Sequence, residues 1–187
     1  MEHPESALGR PTYGTILFLL VVLIYLAFIL RLLNLDAFSF WTDEGLTPLR
    51  SGYGIAEILS NRIMIQEGIT RDTHPPLFYL IIHFTRQLFG ELDFAYRYPS
   101  LLAGVLLVPL MYQFGRHLQS MSAGLFAALL TTVNPLQIYY GNEARMYTIY
   151  VLLAAAASYV LWRALNGANL RRSLLLYFVL AGLAFYT

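Results

Sequence analysis

Long apolar runs alternate with short polar breaks along most of this chain. The first four runs are each about 20 residues long, which is the length that an α-helix needs to cross a bilayer. The fifth run is shorter and is still in progress at Thr187. The pattern predicts an all-α fold, a polytopic transmembrane helical bundle, with spans at residues 15–35, 97–115, 121–140, 145–164 and 173–187.

A polar segment, residues 36–96, separates the first two spans and contains eight of the eleven acidic residues. Within residues 54–68 the apolar positions Ile55, Ile58, Leu59 and Ile63 fall on one helical stripe, which predicts a helix lying on the membrane surface. Residues 75–90 are apolar but short for a span, and they could either cross the membrane or lie along it.

The distribution of arginines favours one of these two topologies. If 75–90 does not cross and the N-terminus is cytoplasmic, the arginines that follow the later spans all fall in cytoplasmic loops, as the positive-inside rule requires; they are Arg116, Arg163, Arg171 and Arg172. We therefore predict a cytoplasmic tail at residues 1–12, an extracytoplasmic loop at 36–96, and a juxtamembrane or re-entrant helix at 75–90. Arg31, near the end of the first span, is expected to snorkel to the interface.

Composition supports the membrane assignment. The chain is 58% apolar and 12% charged, against about 25% charged for soluble domains. A net charge of +1 offers no electrostatic basis for nucleic-acid binding. The absence of cysteine excludes disulfides and thiolate metal sites.

Polar residues that could take part in catalysis or ligand binding cluster at one predicted face of the membrane. Asp43 and Glu44 are adjacent in the sequence TDEG, and one of them could act as a general base; both could equally be helix-start residues capped by Thr42. His74 precedes a rigid proline pair, where it could bind a phosphate or a metal or be merely solvated. Arg97 opens a span and could pair with a carboxylate or contact a lipid phosphate.

The sequence YYGNEARMYTIY supplies the last cluster, between the third and fourth predicted spans. Arg145 is a candidate for binding an anionic headgroup, with Glu143 or a tyrosine such as Tyr147 holding its guanidinium. The tyrosines could also belong to an interfacial belt, and the charges could be simple anchors.

Taken in order, TDEG, THPPL, RYPSLLAG and NEARMYT resemble the N-terminal half of the polyprenyl-phosphate-sugar glycosyltransferases of the GT-C superfamily. The resemblance covers roughly residues 13–187. Within the superfamily, the chain is similar to the protein mannosyltransferases of family 39 and to the aminoarabinose transferases. It does not specify a subfamily. Where aminoarabinose transferases carry an acid and a lysine before the proline, this chain has Thr73 and His74, and this departure leaves the metal site unassigned.

The resemblance implies an inverting membrane glycosyltransferase that transfers a hexosyl or pentosyl group from a polyprenyl-phosphate sugar. It implies an extracytoplasmic active site in a multi-pass protein of the bacterial inner or plasma membrane. Asp43 and Glu44 would be the catalytic pair, with Asp43 the better base. Arg145, His74 and Arg97 would bind the donor phosphate, and Glu143 and Tyr147 would support them.

The reaction needs no enzyme-bound cofactor, because a phosphate is already a good leaving group, and a divalent metal is left open. The acceptor, whether glycan, lipid or protein, is not indicated. Since the last run stops short of a span, we expect the chain to be the N-terminal part of a longer polypeptide, inactive by itself. The alternatives are a lipid or solute transporter or flippase and a non-catalytic membrane subunit; a transporter predicts ionisable groups at mid-membrane depth, and no acid lies inside a predicted span.

Overall fold

The computed structural model of the protein describes residues 12–33, 35, 39–65 and 68–187. Asp36 and most of the predicted 1–12 tail lie outside these residues. The described chain is almost entirely helical and contains one short hairpin. Its elements are α1 (Tyr13–Leu32), α2 (Thr42–Ser51), α3 (Ile55–Leu59), β1 (Arg62–Ile65), β2 (Gly68–Arg71), α4 (Leu77–Phe89), α5 (Asp93–Leu118), α6 (Met121–Val133), α7 (Pro135–Gly141), α8 (Tyr147–Leu165) and α9 (Leu170–Phe185).

Three of these helices, α1, α5 and α8, are long and apolar enough to cross a membrane. A fourth candidate is the pair formed by α6 and α7, which is bent by 55°. The all-α transmembrane bundle predicted from the sequence is therefore confirmed. α9 has 16 residues and α4 has 13. α4 is therefore about 20 Å long, which is less than the thickness of the roughly 30 Å hydrocarbon core. The path of α4 relative to the bilayer stays a prediction.

The break between α6 and α7 has a local cause. Pro135 has no N–H for the carbonyl of Thr131, so the α-helical ladder cannot continue through it. Asn134 is extended instead, and its side chain accepts a hydrogen bond from Gln137 N at 3.1 Å, which starts α7 as a new helix. The predicted span at 121–140 is thus two helices, and the second helix is redirected toward the polar residues that follow it.

The long helices pack side by side around α5. α5 contacts α1, α6, α7 and α8, and α8 contacts α9. At one end of the bundle the C-terminal turns of α5 and α8 meet, where the Tyr159 hydroxyl lies 3.2 Å from His117 Nδ1. The start of α5, the 142–146 connection that joins α7 to α8, and α2 meet at the opposite end. The predicted cytoplasmic arginines of α5 and α8 therefore lie at the end remote from the predicted site residues.

The predicted surface helix over residues 54–68 is wrong beyond Leu59. α3 ends there, Asn61 adopts a left-handed conformation with φ 54°, and the chain turns into the antiparallel β1–β2 hairpin. Asn tolerates this conformation better than most residues, and the β-branched isoleucines that follow favour a strand. Of the predicted apolar stripe, Ile58 and Ile63 are buried. Ile55 and Leu59 are exposed.

α4 packs one face against the rest of the molecule. Phe78, Tyr79 and Ile82 share a buried cluster with Ile58 of α3 and Tyr96 of α5. In the middle of α4, His83 Nδ1 lies 2.8 Å from the carbonyl oxygen of Ser51, the last residue of α2. α4 thereby fixes α2 from outside, and α2 carries the acidic pair.

Arg31 does not snorkel to the interface as the sequence suggests. Its side chain is fully buried and donates to the Ala27 carbonyl at 3.0 Å and to the Thr131 carbonyl at 3.4 Å. Thr131 is the residue whose carbonyl loses its helical partner at Pro135, so the guanidinium replaces the missing N–H. Room for it comes from Gly104 and Gly141, where an added Cβ would lie 2.6 Å and 3.1 Å from Arg31 atoms.

Candidate functional site

The first turn of α2 carries both predicted catalytic acids, and the structure gives them different surroundings. The helix begins at Thr42 with Trp41 as its N-cap, so Thr42 is not the cap and Asp43 and Glu44 occupy the first turn. Negative charge is favourable at this position because of the helix dipole. Successive residues of a helix point about 100° apart, so the two side chains face different neighbours.

Glu44 is buried and fully engaged. Its Oε1 accepts from Arg97 Nε at 3.1 Å and from the backbone N–H of Ala144 at 2.6 Å, and its Oε2 accepts from Arg97 Nη2 at 3.0 Å. Arg97 also donates to the Leu35 carbonyl at 2.6 Å. This forked pair ties α2 to α5 and to the 142–146 connection. Of the two interpretations of Arg97, the structure displays pairing with a carboxylate; phosphate binding by Arg97 and catalysis by Glu44 stay predictions.

Asp43 is half-buried, and its carboxylate has no hydrogen-bond or ion-pair partner among the described residues. Its backbone carbonyl accepts a hydrogen bond from Arg145 Nη1 at 3.0 Å. Asp43, whose carboxylate has no partner among the described residues, is thus adjacent to Glu44, whose carboxylate connects α2 to α5 and to the 142–146 connection. The structure thus distinguishes the two acids by their contacts, and the role of either as a base stays a prediction.

Arg145 is only 2% exposed, and it is held by groups from distant parts of the chain. Nη1 donates to Asp43 O, and Nη2 lies 3.3 Å from His74 Nε2. Its guanidinium also lies 5.7 Å from the Tyr147 ring centroid, within cation–π range. The Nε atom is buried and has no partner. The predicted residues Asp43, His74, Arg145 and Tyr147 are therefore neighbours.

His74 is oriented by a residue that we did not predict. Asp72 Oδ1 accepts from the His74 backbone N–H at 3.0 Å and lies 2.8 Å from His74 Nδ1. Because a carboxylate only accepts, the ring proton belongs on Nδ1, which leaves Nε2 to accept from Arg145. In this arrangement His74 positions Arg145.

The buried Arg50 completes this network. It pairs with Asp72, donates to the His74 carbonyl at 3.0 Å and to Asn61 Oδ1 at 2.6 Å, and lies 3.9 Å from the Tyr79 ring centroid. Burial would raise the pKa of the Asp72 carboxyl, but the His74 hydrogen bonds and the Arg50 charge outweigh it and lower the pKa. Asp72 is therefore an anion that holds His74 in place.

A cavity of about 710 Å³ adjoins the other side of the α2 first turn. Its polar lining includes Glu44, Arg97, Asn142 and Glu143, and the remainder is mostly apolar and aromatic: Ser39, Trp41, Pro135, Ile138 and Tyr139. Pro135 and Tyr139 belong to α7, so the bend at Asn134 brings this wall into position. Pockets of this size, mostly apolar with a few convergent polar groups, are typical of small-molecule sites.

Glu143 faces this cavity and is not ion-paired with Arg145. It is 6% exposed, and its Oε2 has no partner. Burial raises the pKa of the Glu143 carboxyl; hydrogen bonds from Tyr139 and Trp41 and the Arg145 charge oppose the rise, whereas Glu44 adds to it. The predicted support of Arg145 by Glu143 is thus at most electrostatic in this structure.

Comparison with protein families gives a match over much of the chain. Residues 73–187 match the profile described as dolichyl-phosphate-mannose-protein mannosyltransferase. The match covers more than half of the chain. The chain belongs to this mannosyltransferase family. Searches against curated proteins and against solved structures gave no match.

Membership of the mannosyltransferase family indicates a mannosyltransferase-like function that uses a polyprenyl-phosphate sugar in a membrane setting. The matched region contains His74, Arg97, Glu143, Arg145 and Tyr147. It does not contain Asp43 or Glu44, which precede it. These two acids are joined to the matched region by contact, through Asp43 O with Arg145 and through Glu44 with Arg97 and Ala144.

The predicted site residues do not fit a divalent metal. The described part of the chain contains no group of three or more His, Asp or Glu residues that could hold one. Asp72 and His74, the nearest pair, are engaged with Arg50 and with each other, and Arg145 adds a positive charge at the open nitrogen of His74. We therefore derive no step through a metal.

Proposed function

We propose that this protein is an inverting membrane glycosyltransferase that takes a mannose-like sugar from a polyprenyl-phosphate donor on the extracytoplasmic face. The observation that carries the proposal is the meeting of Asp43, His74 and Arg145, which are far apart in sequence, beside a cavity of suitable size. This arrangement combines the Asp43 carboxylate, which has no partner among the described residues, with the buried Arg145, whose Nε–H has no partner.

The surroundings of Arg145 suit the donor phosphate. Its buried Nε has no partner, and α8 begins at Tyr147 with no side-chain cap. The N-terminus of this 19-residue helix adds unpaired backbone N–H groups and the positive end of its dipole. Both features would stabilise negative charge as it develops on the leaving phosphate.

The proposed reaction is a single displacement at the anomeric carbon. The acceptor hydroxyl oxygen forms a bond to this carbon while the bond to the phosphate oxygen breaks. The hydroxyl proton passes to the Asp43 carboxylate, and the electron pair of the broken bond leaves on the polyprenyl phosphate, beside Arg145. Attack opposite to the leaving group inverts the anomeric configuration, and no cofactor takes part.

Substitution of the two central residues tests the proposal in the full-length protein in nanodiscs. Asp43→Asn should lower transfer from polyprenyl-phosphate-mannose by about 10²–10⁴-fold, the usual contribution of a general base, with insertion and thermal unfolding unchanged. Arg145→Ala should weaken donor binding more than acceptor binding. Glu57→Gln, which removes an exposed acid of α3, is the matched control and should retain activity.

Near-normal turnover in Asp43→Asn would rule out the base assignment. An unchanged donor affinity in Arg145→Ala would rule out the phosphate site. Protease protection of a tag fused before residue 12, combined with labelling of Asp43→Cys from either side of sealed vesicles, tests sidedness; labelling of this position from the cytoplasmic side alone would contradict the extracytoplasmic placement.

A further inference from the structure

We propose that the cavity lined by Trp41, Tyr139, Asn142 and Glu143 binds the sugar ring of the donor, and that Glu143 and Asn142 recognise its hydroxyl groups. This inference rests on the proposed function, which places the phosphate at Arg145. It assigns a separate role to the cavity on the other side of α2.

The unpaired polar atoms of the cavity wall define the chemistry of the occupant. Glu143 Oε2 and Asn142 Oδ1 are buried hydrogen-bond acceptors without a partner. A buried unsatisfied acceptor costs about 1–3 kcal/mol, so a ligand that donates hydrogen bonds there would be bound favourably. Sugar hydroxyls are such donors, whereas a phosphate at neutral pH is mainly an acceptor and would be repelled.

The charged residues on the opposite wall of the cavity do not change the kind of ligand that it favours. Glu44 and Arg97 lie in the lining, but each neutralises the other at 3.0 Å. The wall opposite Glu143 is therefore close to neutral. The two unpaired acceptors, Glu143 Oε2 and Asn142 Oδ1, therefore decide what the cavity favours, and they suit a hydroxyl-rich ring.

Two aromatic side chains provide the apolar surface that a sugar ring needs. Trp41 is 47% exposed and Tyr139 is 56% exposed, and both line the cavity. A pyranose has a face of C–H groups that packs on such rings while its hydroxyls point outward to polar partners. Aromatic rings with a polar tip commonly serve this kind of mixed contact.

Chain connectivity places this ring site next to the phosphate site. Asn142 and Glu143 precede Arg145 in the same 142–146 connection, and Glu44 follows Asp43 in the α2 first turn. In the donor, the ring and the phosphate are joined through the anomeric carbon. A ring in the cavity and a phosphate at Arg145 would therefore bring this carbon to the first turn of α2, where the free Asp43 carboxylate is carried.

Binding of two ligands that differ only in the sugar tests the inference. We would measure the affinity of the full-length protein in nanodiscs for polyprenyl-phosphate-mannose and for polyprenyl phosphate. Glu143→Ala should weaken binding of the mannosylated ligand about 10-fold or more, as loss of a strong hydrogen bond predicts, and change binding of the bare phosphate less than about twofold. Trp41→Ala should behave likewise.

The controls separate recognition of the ring from general damage. Arg145→Ala should weaken both ligands, Glu57→Ala removes an exposed acid, and Trp162→Ala removes a tryptophan at the opposite end of the bundle. Glu143→Gln keeps an acceptor of the same shape and should retain most of the preference for mannose. For the Glu143 and Trp41 variants, binding of the bare phosphate also reports whether the protein is folded.

Two results would overturn the inference. One is a wild-type protein that prefers the mannosylated ligand while Glu143→Ala keeps this preference in full. The other is an equal loss of both ligands in Glu143→Ala that retains the wild-type unfolding temperature. A wild-type protein that binds neither ligand would instead refute the proposed function, and the ring site with it.

Discussion

The two neighbouring acids of α2 should respond to substitution in opposite ways. Asp43→Asn removes a half-buried carboxylate that has no partner among the described residues, so the fold should be nearly unaffected and the chemistry lost. Glu44→Gln removes one charge of a buried, forked ion pair with Arg97, so the fold itself should suffer. The contrast tests the assignment of roles directly.

The size of the Glu44 effect follows from the burial of the pair. The side chains of Arg97 and Glu44 are 3% and 2% exposed, so removal of one charge leaves the other uncompensated in a place without water. Breaking such a pair costs about 3–5 kcal/mol. At about 2–4 °C per kcal/mol for a chain of this size, the unfolding temperature should fall by about 6–20 °C. Asp43→Asn should change stability by less than about 1 kcal/mol.

A double-mutant cycle identifies the pair as the cause. Glu44→Met and Arg97→Met should each be strongly destabilising, whereas the double variant leaves no unpaired buried charge. It still loses the acceptor of Ala144 N and the donor to Leu35 O, so recovery is incomplete. We expect a coupling of about 1–3 kcal/mol relative to the sum of the single effects.

The assay is thermal unfolding of each variant in detergent, followed by transfer activity in nanodiscs for the variants that fold. Asp93→Asn, an exposed acid in the first turn of α5, is the matched control for loss of a helix-start charge. Additive effects of Glu44 and Arg97 would refute the ion-pair argument. A Glu44→Gln protein that is as stable as wild type but inactive would transfer the catalytic role to Glu44.

The remaining predictions concern Glu143 and Asp72 at the site and Arg31 in the helical bundle. Burial raises the pKa of the Glu143 carboxyl in the folded protein. This group therefore favours the folded state most below its ordinary pKa of about 4.3, and progressively less as the pH rises through the higher pKa of the folded state. Glu143→Gln should consequently raise the unfolding temperature more at pH 8 than at pH 5. Asp72→Asn should shift the His74 proton from Nδ1 toward Nε2, visible by ¹⁵N NMR of the ring, and weaken donor binding; an unchanged tautomer would contradict the positioning role. Arg31→Met should destabilise the protein by about 1–3 kcal/mol, and Pro135→Ala, which restores an N–H to the helix, should recover part of this loss in the double variant.

The sequence was sufficient to predict the bundle and the meeting of the site residues. Apolar runs as long as a bilayer is thick admit few structures other than helices, and this is why α1, α5 and α8 agree with the predicted spans within a few residues. The convergence of Asp43, His74 and Arg145 followed from placing the acidic segment and the arginine-rich loops at opposite ends. The single assumption that residues 75–90 do not cross the membrane was enough to place these residues on the same side.

Pairings between charges could not be predicted in the same way. Glu44 and Arg97 are 53 positions apart, and nothing in either motif states that they meet. Asp72 was overlooked although it lies two residues before His74, a spacing at which a carboxylate commonly bonds to the following backbone. The pairing of β1 with β2 was missed because a short isoleucine-rich run fits a helical stripe as well as a strand.

Four arginines are buried among the residues that the structure describes, and they differ in how their charge is balanced. Arg50 and Arg97 each pair with a carboxylate, and Arg31 lies between carbonyls at the C-terminal ends of α1 and α6, where helix dipoles favour a cation. Arg145 has no carboxylate within ion-pair distance among the described residues, and it lies beside the N-terminal turns of α2 and α8, where the dipoles oppose it. A buried cation in that position is costly by itself and becomes favourable when an anion binds beside it. The surroundings that make burial of the Arg145 charge unfavourable are thus the ones that would favour a phosphate bound beside it.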